Sequence, residues 1–296
     1  MDYFTNMGFK LQASTIQLLR IKFSFFLMPI YWFALSQINN INICKAVLVF
    51  IILHLFIYPS SNGYNCYMDK DTESIGCIKK PLLPTKQLYY ACIFLDVTAL
   101  LTGLMVSYSF TLLLVLYIIA SKSYSYSGIR LKRFPVLGYL IAIIFQGGIV
   151  YLMVYITCSI PQNIQAPFLP MLASTFFVGA FYPLTQIYQH KQDAKSNIKT
   201  MSIMLGYTGT FLLASIMCSL AMLFTAYYFA SNLELDRFLV LFVCMFPSLF
   251  FLIKWYYRVR KDNAEASYKN SMQMNWIAAT GSNLAFIIIL IIKDKF

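Results

Sequence analysis

Long apolar segments separated by short polar ones fill almost the whole chain. A helix needs ~20 apolar residues to cross a bilayer, and backbone polar groups within lipid must be satisfied inside the helix itself. The pattern therefore predicts an all-α integral membrane protein, a single bundle of about nine transmembrane helices. The segments are Ile16–Leu35, Ile43–Tyr58, Leu88–Ser107, Phe110–Ile119, Val136–Ile156, Ala166–Ile187, Ser202–Phe229, Phe238–Tyr257 and Trp276–Ile292.

The composition agrees with a membrane protein. Apolar residues make up 59% of the 296 residues and charged residues only 11%, less than half the charged share of a typical soluble domain. No polar stretch is long enough for a separate soluble domain. We therefore predict one transmembrane domain over residues 1–296, with its two patterned polar loops at residues 59–87 and 189–200.

The net charge of +12 is distributed mostly on one side of the predicted bundle. Lys and Arg gather in the loops after the second, fourth, sixth and eighth segments, and such loops face the cytoplasm. We expect the N-terminus and both patterned loops to be cytoplasmic, in a bacterial inner membrane, where the basic loops attract anionic membrane lipids. Nucleic-acid binding is not expected, because these basic residues lie in short loops without a soluble domain to present them.

Two loops repeat the same arrangement of residues. The stretch YPSSNGYNCYMD at Tyr58–Asp69 and the stretch YPLTQIYQHKQD at Tyr182–Asp193 both contain Tyr-Pro, then a Tyr followed by a carboxamide, then an Asp. They follow the second and sixth apolar segments, and an offset of four helices preserves orientation. The repeat therefore predicts two parallel halves that contribute to one site, an arrangement also found in transporters.

The repeated loops concentrate the rare acidic residues. Only 11 acidic residues occur in the chain, and Asp69, Asp71, Glu73 and Asp193 lie in these loops. In a continuous helix Asn65, Asp69 and Glu73 would share one face. Mg²⁺ prefers oxygen ligands and binds through one or two carboxylates together with substrate phosphates. We therefore predict Asp69, Glu73 and Asp193 as metal ligands for Mg²⁺ bound with a diphosphate.

Basic residues accompany the acids. Arg130 and Lys132 lie in the stretch SYSYSGIRLKR, and Lys199 follows the second repeated loop. Arg binds phosphate oxygens in pairs, whereas Lys acts as a point charge. These cations are our candidates for binding the phosphate groups.

Three stretches resemble one known family. NCYMDKDTE is similar to the Asn-x3-Asp-x3-Asp signature of the UbiA superfamily of intramembrane prenyltransferases, and DAKSNIKT resembles its second signature. Tyr124-Ser125 through Arg130-Leu131-Lys132 resembles a Tyr-Ser…Arg-Leu-Lys element of part of that family. The sequence departs from the pattern where Glu73 stands for the third acid of the first motif and Gln189 for the first acid of the second.

The resemblance implies an enzyme, a prenyltransferase that uses Mg²⁺ to transfer a polyprenyl group from its diphosphate to a small aromatic or lipid acceptor. It implies a catalytic set of Asp69, Glu73, Asp193 and Lys199. The substrate-binding residues that it implies are Asn65, Gln189, Arg130, Lys132, Tyr124 and Tyr188.

Two other functions remain compatible with the sequence. A catalytically degenerate relative that binds prenyl lipids is compatible with Gln189, which lacks the charge of the acid it replaces. A small-molecule carrier is less compatible, because a carrier places ionisable residues near the bilayer midplane. Asp96 is the one acid well inside a predicted helix, and we expect it either to face a central cavity or to bond a neighbouring helix.

Overall fold

Helices form almost the entire protein. The computed structural model describes residues 11–162, 165–195 and 198–293. Within these ranges, β-type backbone pairing is limited to two isolated β-bridges, Ile41 with Ser159 and Ile75 with Ile78. The long helices are α1 (Ala13–Ser36), α2 (Ile43–Asp69), α3 (Lys86–Val106), α4 (Tyr108–Ser125), α5 (Pro135–Cys158), α6 (Phe168–Gln189), α7 (Met201–Ser231), α8 (Leu235–Lys261) and α9 (Tyr268–Ile292).

Eight of these helices are long and apolar enough to cross a membrane. The exception among the described helices is α4, which contains the fourth predicted segment. It has 18 residues and ends in the polar stretch Ser121–Ser125. The predicted all-α integral membrane architecture is confirmed, with eight helices meeting the length and hydropathy expected of a spanning helix and α4 packed among them.

The outer surface of the bundle is apolar. Large side chains on several helices are more than half exposed, for example Leu101 on α3, Leu112 on α4, Leu212 on α7 and Val243 on α8. A soluble protein rarely exposes a contiguous apolar surface of this extent. These side chains therefore face lipid, and the protein is a multi-pass integral membrane protein.

Local capping interactions define where several helices begin. The Asn42 side chain accepts a hydrogen bond from the Lys45 backbone N–H at 3.1 Å at the start of α2. The Ser107 hydroxyl accepts one from the Phe110 N–H at 3.2 Å at the start of α4. Each cap satisfies an N–H group that lacks a partner in the first helical turn.

The end of α2 determines the geometry of the first repeated loop. Lys70 adopts left-handed backbone angles, φ 52° and ψ 42°, and its N–H bonds the Cys66 carbonyl. A left-handed residue of this kind terminates a helix. Asn65 and Asp69 therefore share a face of α2, whereas Glu73 lies beyond the helix, and the expected i, i+8 relation of Glu73 to Asn65 is wrong.

Close helix contacts hold the centre of the bundle together. The middle of α5, Ile144–Ile149, is wound as a π-helix and packs against α6. A Cβ atom on Gly147 would lie 2.6 Å from the Ser174 carbonyl oxygen of α6. Only glycine permits this approach, which sets the spacing between two helices that flank the central cavity described below.

Asp96 bonds neighbouring helices. Its carboxylate accepts a hydrogen bond from Ser60 on α2 at 2.6 Å and pairs with the Lys122 ammonium on α4 at 2.8 Å. Lys122 also lies 4.4 Å from the centre of the Tyr64 ring. Asp96 is absent from the described lining of the central cavity. Of the two alternatives, the structure shows the interhelical one, because this charge is neutralised locally among α2, α3 and α4.

Replacing Asp96 by Asn should destabilise the protein by about 2–3 kcal/mol. Breaking a buried pair costs about 3–5 kcal/mol, and the Lys122 side chain retains 22% exposure, which reduces the loss. Thermal unfolding in detergent measures the effect. The double variant Asp96→Asn/Lys122→Met should recover part of the stability, and an unchanged unfolding temperature in the single variant would contradict the role of this pair.

Candidate active site

A cavity of about 260 Å³ lies among α1, α2, α4, α5, α6 and α9. Its end near the repeated loops is polar and charged, whereas its deeper part is lined by aromatic and aliphatic side chains. The described charged residues of the lining are three carboxylates and three cations: Asp69, Asp71, Asp193, Arg20, Arg130 and Lys132. The cavity therefore joins a charged end to an apolar end.

The end of α2 positions Asp69 against two cations. Lys132 Nζ contacts the Asp69 carboxylate and lies 3.2 Å from Asn65 Oδ1. The Arg130 guanidinium lies 3.5 Å from Asp69 Oδ1. Lys132 is only 7% exposed, so its charge depends on these oxygens for the solvation it has lost.

The second repeated loop closes over the first. Gln192, on the short helix His190–Lys195, donates a hydrogen bond from Nε2 to Asp71 Oδ1 at 2.5 Å. Gln189 Nε2 lies 3.5 Å from the Ser74 carbonyl oxygen. Gln192 and Asp71 are 121 residues apart in the sequence. The two repeated loops therefore meet at one cavity, as the repeat predicts.

Two of the predicted tyrosines lie on the cavity wall. The hydroxyl groups of Tyr124 on α4 and Tyr182 on α6 are hydrogen-bonded to each other. Tyr188, also on the wall, packs edge-to-face on Tyr268 of α9 with ring centres 5.3 Å apart. These contacts link the wall from α4 through α6 to α9.

Asn65, Asp69, Tyr124, Arg130, Lys132, Tyr188, Gln189 and Asp193 all line the cavity, so most predicted site residues are brought together. Two are not. Glu73 is absent from the described lining and borders a neighbouring depression with Ser74 and Lys79, because α2 ends before it. The Lys199 side chain is exposed and is also absent from the described lining, so its prediction as a catalytic residue lacks structural support.

Two further charged residues line the cavity: Asp71, which the sequence places among the acids of the repeated loops, and Arg20, a candidate phosphate-binding cation at the first helix. Asp71 occupies the side of the cavity where Glu73 was expected, because the left-handed Lys70 turns the chain immediately after α2. Arg20 also has a positive φ, 48°, and its Nε donates to the Gly76 carbonyl oxygen at 2.9 Å.

Burial and mutual repulsion oppose ionisation of the loop carboxylates. Burial, assisted by the charges of Asp71 and Asp69, raises the pKa of Asp193 to about 7, although Lys132 opposes the shift. Burial and the Asp69 charge raise the pKa of Asp71 to about 6 against the effect of Lys132, Arg20 and Arg130. Burial and the neighbouring carboxylates therefore disfavour the ionised forms of Asp193 and Asp71, even though the lining contains as many cations as carboxylates.

Unsatisfied carboxylate oxygens at this end fit a divalent cation. Asp69 Oδ1, which has only the ion-pair contact with Arg130 at 3.5 Å, and Asp193 Oδ2 are buried and have no hydrogen-bond partner among the described residues. Those residues contain no cluster of three acidic, His or Cys side chains close enough to enclose a metal alone. Oxygen ligands that leave a metal partly open suit Mg²⁺, which keeps water molecules and binds substrate phosphates. Asp69 and Asp193, with Asp71 beside them, would hold it together with water and substrate phosphates rather than enclose it on their own.

The chain belongs to the UbiA prenyltransferase family, whose sequence profile matches residues 24–277. The match includes both repeated loops, the Arg130–Lys132 stretch and the first helical turns of α9. A search of curated proteins gives no significant match.

Solved structures share this fold at low sequence identity. A UbiA homologue from Archaeoglobus fulgidus, bound to DMAPP and Mg²⁺, is 17% identical with a TM-score of 0.64, covering 94% of this chain and 99% of that one. An apo UbiA homologue from Aeropyrum pernix K1 is 16% identical with a TM-score of 0.68, covering 94% and 99%. A digeranylgeranylglyceryl phosphate synthase structure is 15% identical with a TM-score of 0.62, covering 96% and 98%.

Mg²⁺ should stabilise the protein more at pH 8 than at pH 5. Because the pKa values of Asp193 and Asp71 are higher in the folded protein than in the unfolded chain, their effect on stability becomes less favourable as the pH rises from about 4 to about 7. Above that range the ionised carboxylates are available to a cation. The measurement is the unfolding temperature in detergent with and without Mg²⁺ at both pH values.

The variant Asp193→Asn is the control for this measurement, since it should remove much of the difference between the two pH values. Equal stabilisation by Mg²⁺ at pH 5 and pH 8 in the unmodified protein would contradict the assignment.

Proposed function

We propose that the protein is a Mg²⁺-dependent prenyltransferase that transfers a polyprenyl group from its diphosphate to an acceptor within the membrane. The observation that carries this proposal is the single cavity with a charged end built from both repeated loops and an apolar end between helices. A polyprenyl diphosphate has the same division into a charged head and an apolar tail. The Archaeoglobus fulgidus homologue, solved with DMAPP and Mg²⁺ and with GPP and Mg²⁺, supports the donor class.

The charges of the cavity explain why a divalent cation is needed. The described lining carries three carboxylates and three cations, so its formal charges cancel. A diphosphate brought into this end adds negative charge that the protein alone does not neutralise. Bound Mg²⁺ would supply Lewis-acid stabilisation of the negative charge on the departing diphosphate.

The basic residues orient the diphosphate. Lys132, Arg130 and Arg20 lie at the charged end as fixed cations, and preorganised positive charge stabilises a leaving group whose negative charge grows during bond cleavage. Lys132 is held between Asn65 and Asp69, so it needs little reorganisation. Asn65 and Gln189 contribute neutral amide groups beside the same head group.

The apolar end receives the prenyl chain and excludes water. Phe181, Phe177 and Phe286 line the cavity, and the ring of Phe33 stacks on that of Phe286 with centres 4.4 Å apart, which closes the floor. The allylic C1–O bond breaks and its electron pair leaves with pyrophosphate. The acceptor forms a new bond to C1 and gives up one proton to the departing diphosphate. Exclusion of water prevents capture of the allylic cation.

The orientation of the protein is part of the proposal. The connections on the side of the site, together with the loop between α8 and α9, contain most of the Lys and Arg residues, which favours a cytoplasmic position for these loops and the N-terminus. We place the protein in a bacterial inner membrane, with anionic membrane lipids around the basic loops.

Two alternatives are less well supported. A non-catalytic prenyl-lipid-binding relative was suggested by Gln189, but Asp71 adds a carboxylate to the cavity that the sequence motif did not include. A carrier would place ionisable groups along a path through the membrane. The intramembrane pair of Asp96 and Lys122 is neutralised between helices and, in the described part of the chain, neither residue lines the cavity.

The variants Asp69→Asn and Asp193→Asn should each lower Mg²⁺-dependent pyrophosphate release more than about 100-fold, because loss of a carboxylate ligand removes several kcal/mol of charge stabilisation. The assay uses purified protein in detergent with a labelled allylic diphosphate and an acceptor. Asp236→Asn, which alters an exposed acid at the start of α8, is the matched control. Full activity in both cavity variants, or Mg²⁺-independent release by the unmodified protein, would refute the proposed function.

Substitution of Lys132 should weaken donor binding, whereas substitution of Lys199 should not affect it. Lys132→Met should weaken binding of the prenyl diphosphate about tenfold or more, the scale of a hydrogen bond to a charged group, whereas Lys199→Met should leave it unchanged. Binding is measured by equilibrium competition with a labelled prenyl diphosphate in the presence of Mg²⁺. Equal losses in the two variants would show that the exposed Lys199 takes part after all.

A further inference from the structure

We propose that the acceptor of this protein is an uncharged hydroxyl compound, held through its hydroxyl group by the side-chain amides of Asn275 and Gln186. The inference rests on the proposed prenyl transfer and adds the chemical class of the second substrate. Asn275 lies on α9 and Gln186 near the end of α6, and both line the central cavity.

Unsatisfied buried amides are the first observation. Asn275 is 5% exposed and Gln186 is 8% exposed. Asn275 Nδ2 and Gln186 Oε1 have no hydrogen-bond partner among the described residues, and Asn62 Nδ2, on the same cavity wall, has none either. A buried polar atom without a partner costs free energy, so three such atoms in one cavity offer hydrogen bonds that a polar ligand there can satisfy.

The positions of these amides match the place where an acceptor must lie. Asn62 is seven residues before Asp69 on α2, and Asn275 is seven residues after the start of α9, so each lies ~10 Å along its helix from the charged end. The reacting carbon of the donor is attached to the diphosphate, and an attacking atom must approach within ~3.5 Å of it. The acceptor therefore lies between the charged end and the apolar end, at the level of Asn62 and Asn275. Gln186 lines the same cavity on the part of α6 that contacts α9, where the Ser271 hydroxyl donates to the Leu184 carbonyl oxygen.

The second observation is that the cavity lining between the charged end and the apolar end carries no described charged residue. Every described charged residue of the lining belongs to the group of three carboxylates and three cations at the loop end. The other polar groups of the lining are amides and hydroxyls, including Gln146 on α5. A carboxylate or phosphate on the acceptor would lie without a cationic partner or would compete with the diphosphate for Arg20, Arg130 and Lys132. Burial of an unpaired charge is strongly unfavourable.

A hydroxyl group satisfies both kinds of unpartnered atom. It accepts a hydrogen bond from the Asn275 amide and donates one to the Gln186 carbonyl oxygen. Exchange of the oxygen and nitrogen in both amides together leaves the pair with one donor and one acceptor available. Both a phenol and a lipid alcohol carry such a hydroxyl group, and the experiment below distinguishes these two kinds of acceptor.

The experiment compares matched acceptors that differ in charge. One pair is methyl 4-hydroxybenzoate and 4-hydroxybenzoate, and the other is an alkyl glycerol and its phosphate. Product formation is followed with Mg²⁺ and a labelled allylic diphosphate, after Mg²⁺-dependent donor binding is measured on the same preparation. We expect the neutral member of at least one pair to have kcat/KM about tenfold or more above its charged partner, and the reactive pair identifies a phenol or a lipid alcohol.

Substitutions test whether the acceptor binds at these two amides. Asn275→Leu and Gln186→Leu should each raise the KM of the neutral acceptor about tenfold without changing donor affinity. Asn283→Leu is the matched control, since Asn283 is on the same helix, is equally buried at 5% exposure, and is absent from the described lining.

The outcomes separate this inference from the proposed function. Donor binding with preferential transfer to the charged acceptors, transfer to none of the neutral ones, or an unchanged acceptor KM in both cavity variants would overturn the inference alone. Failure of the folded protein to bind any allylic diphosphate with Mg²⁺ would overturn the proposed function and the inference together.

Discussion

The contact between the Asp69 carboxylate and the Lys132 ammonium is the interaction on which the site depends. Lys132 is buried, and its charge is tolerable only because oxygens of Asp69 and Asn65 face it. Those oxygens are available because α2 continues to Asp69 and ends there. The contact ties the loop between α4 and α5 to the end of α2 and concentrates opposite charges above an apolar cavity. A site of this kind suits the proposed donor, a charged head group attached to a membrane-soluble chain.

The internal repeat supplies the second half of this arrangement. Each repeated stretch begins in the last turns of a long helix, α2 or α6, and places an acid at the same offset from a Tyr-Pro pair. The Gln192–Asp71 hydrogen bond joins the two ends. The halves are not equivalent. The first contributes two carboxylates to the cavity, whereas the second contributes Asp193 and neutral amides. This asymmetry leaves the head-group end charged and provides uncharged hydrogen-bonding groups where the acceptor is proposed to lie.

Much of this organisation could be predicted from the sequence, because membrane helices follow from apolar length and the repeat is visible in the residues. The local errors have physical causes. The spacing of Asn65, Asp69 and Glu73 suggests one helix face, but a left-handed backbone at Lys70, a residue with no particular preference for it, ends the helix and brings Asp71 inward instead. Lys199 is adjacent to a patterned stretch, yet adjacency does not determine which side of a loop faces the cavity. Nothing in the sequence marks Asn275 as a site residue, because the role proposed for its unpartnered amide nitrogen depends on α6 and α9 lining the same cavity.

The most direct test of the central claim is an experimental structure with Mn²⁺ and a non-hydrolysable thiodiphosphate analogue of a prenyl donor. The account predicts metal density between Asp69 and Asp193, phosphate density beside Lys132, and the prenyl chain extending toward Phe177 and Phe286. Metal bound only at Glu73, or a prenyl chain lying outside the cavity, would contradict it.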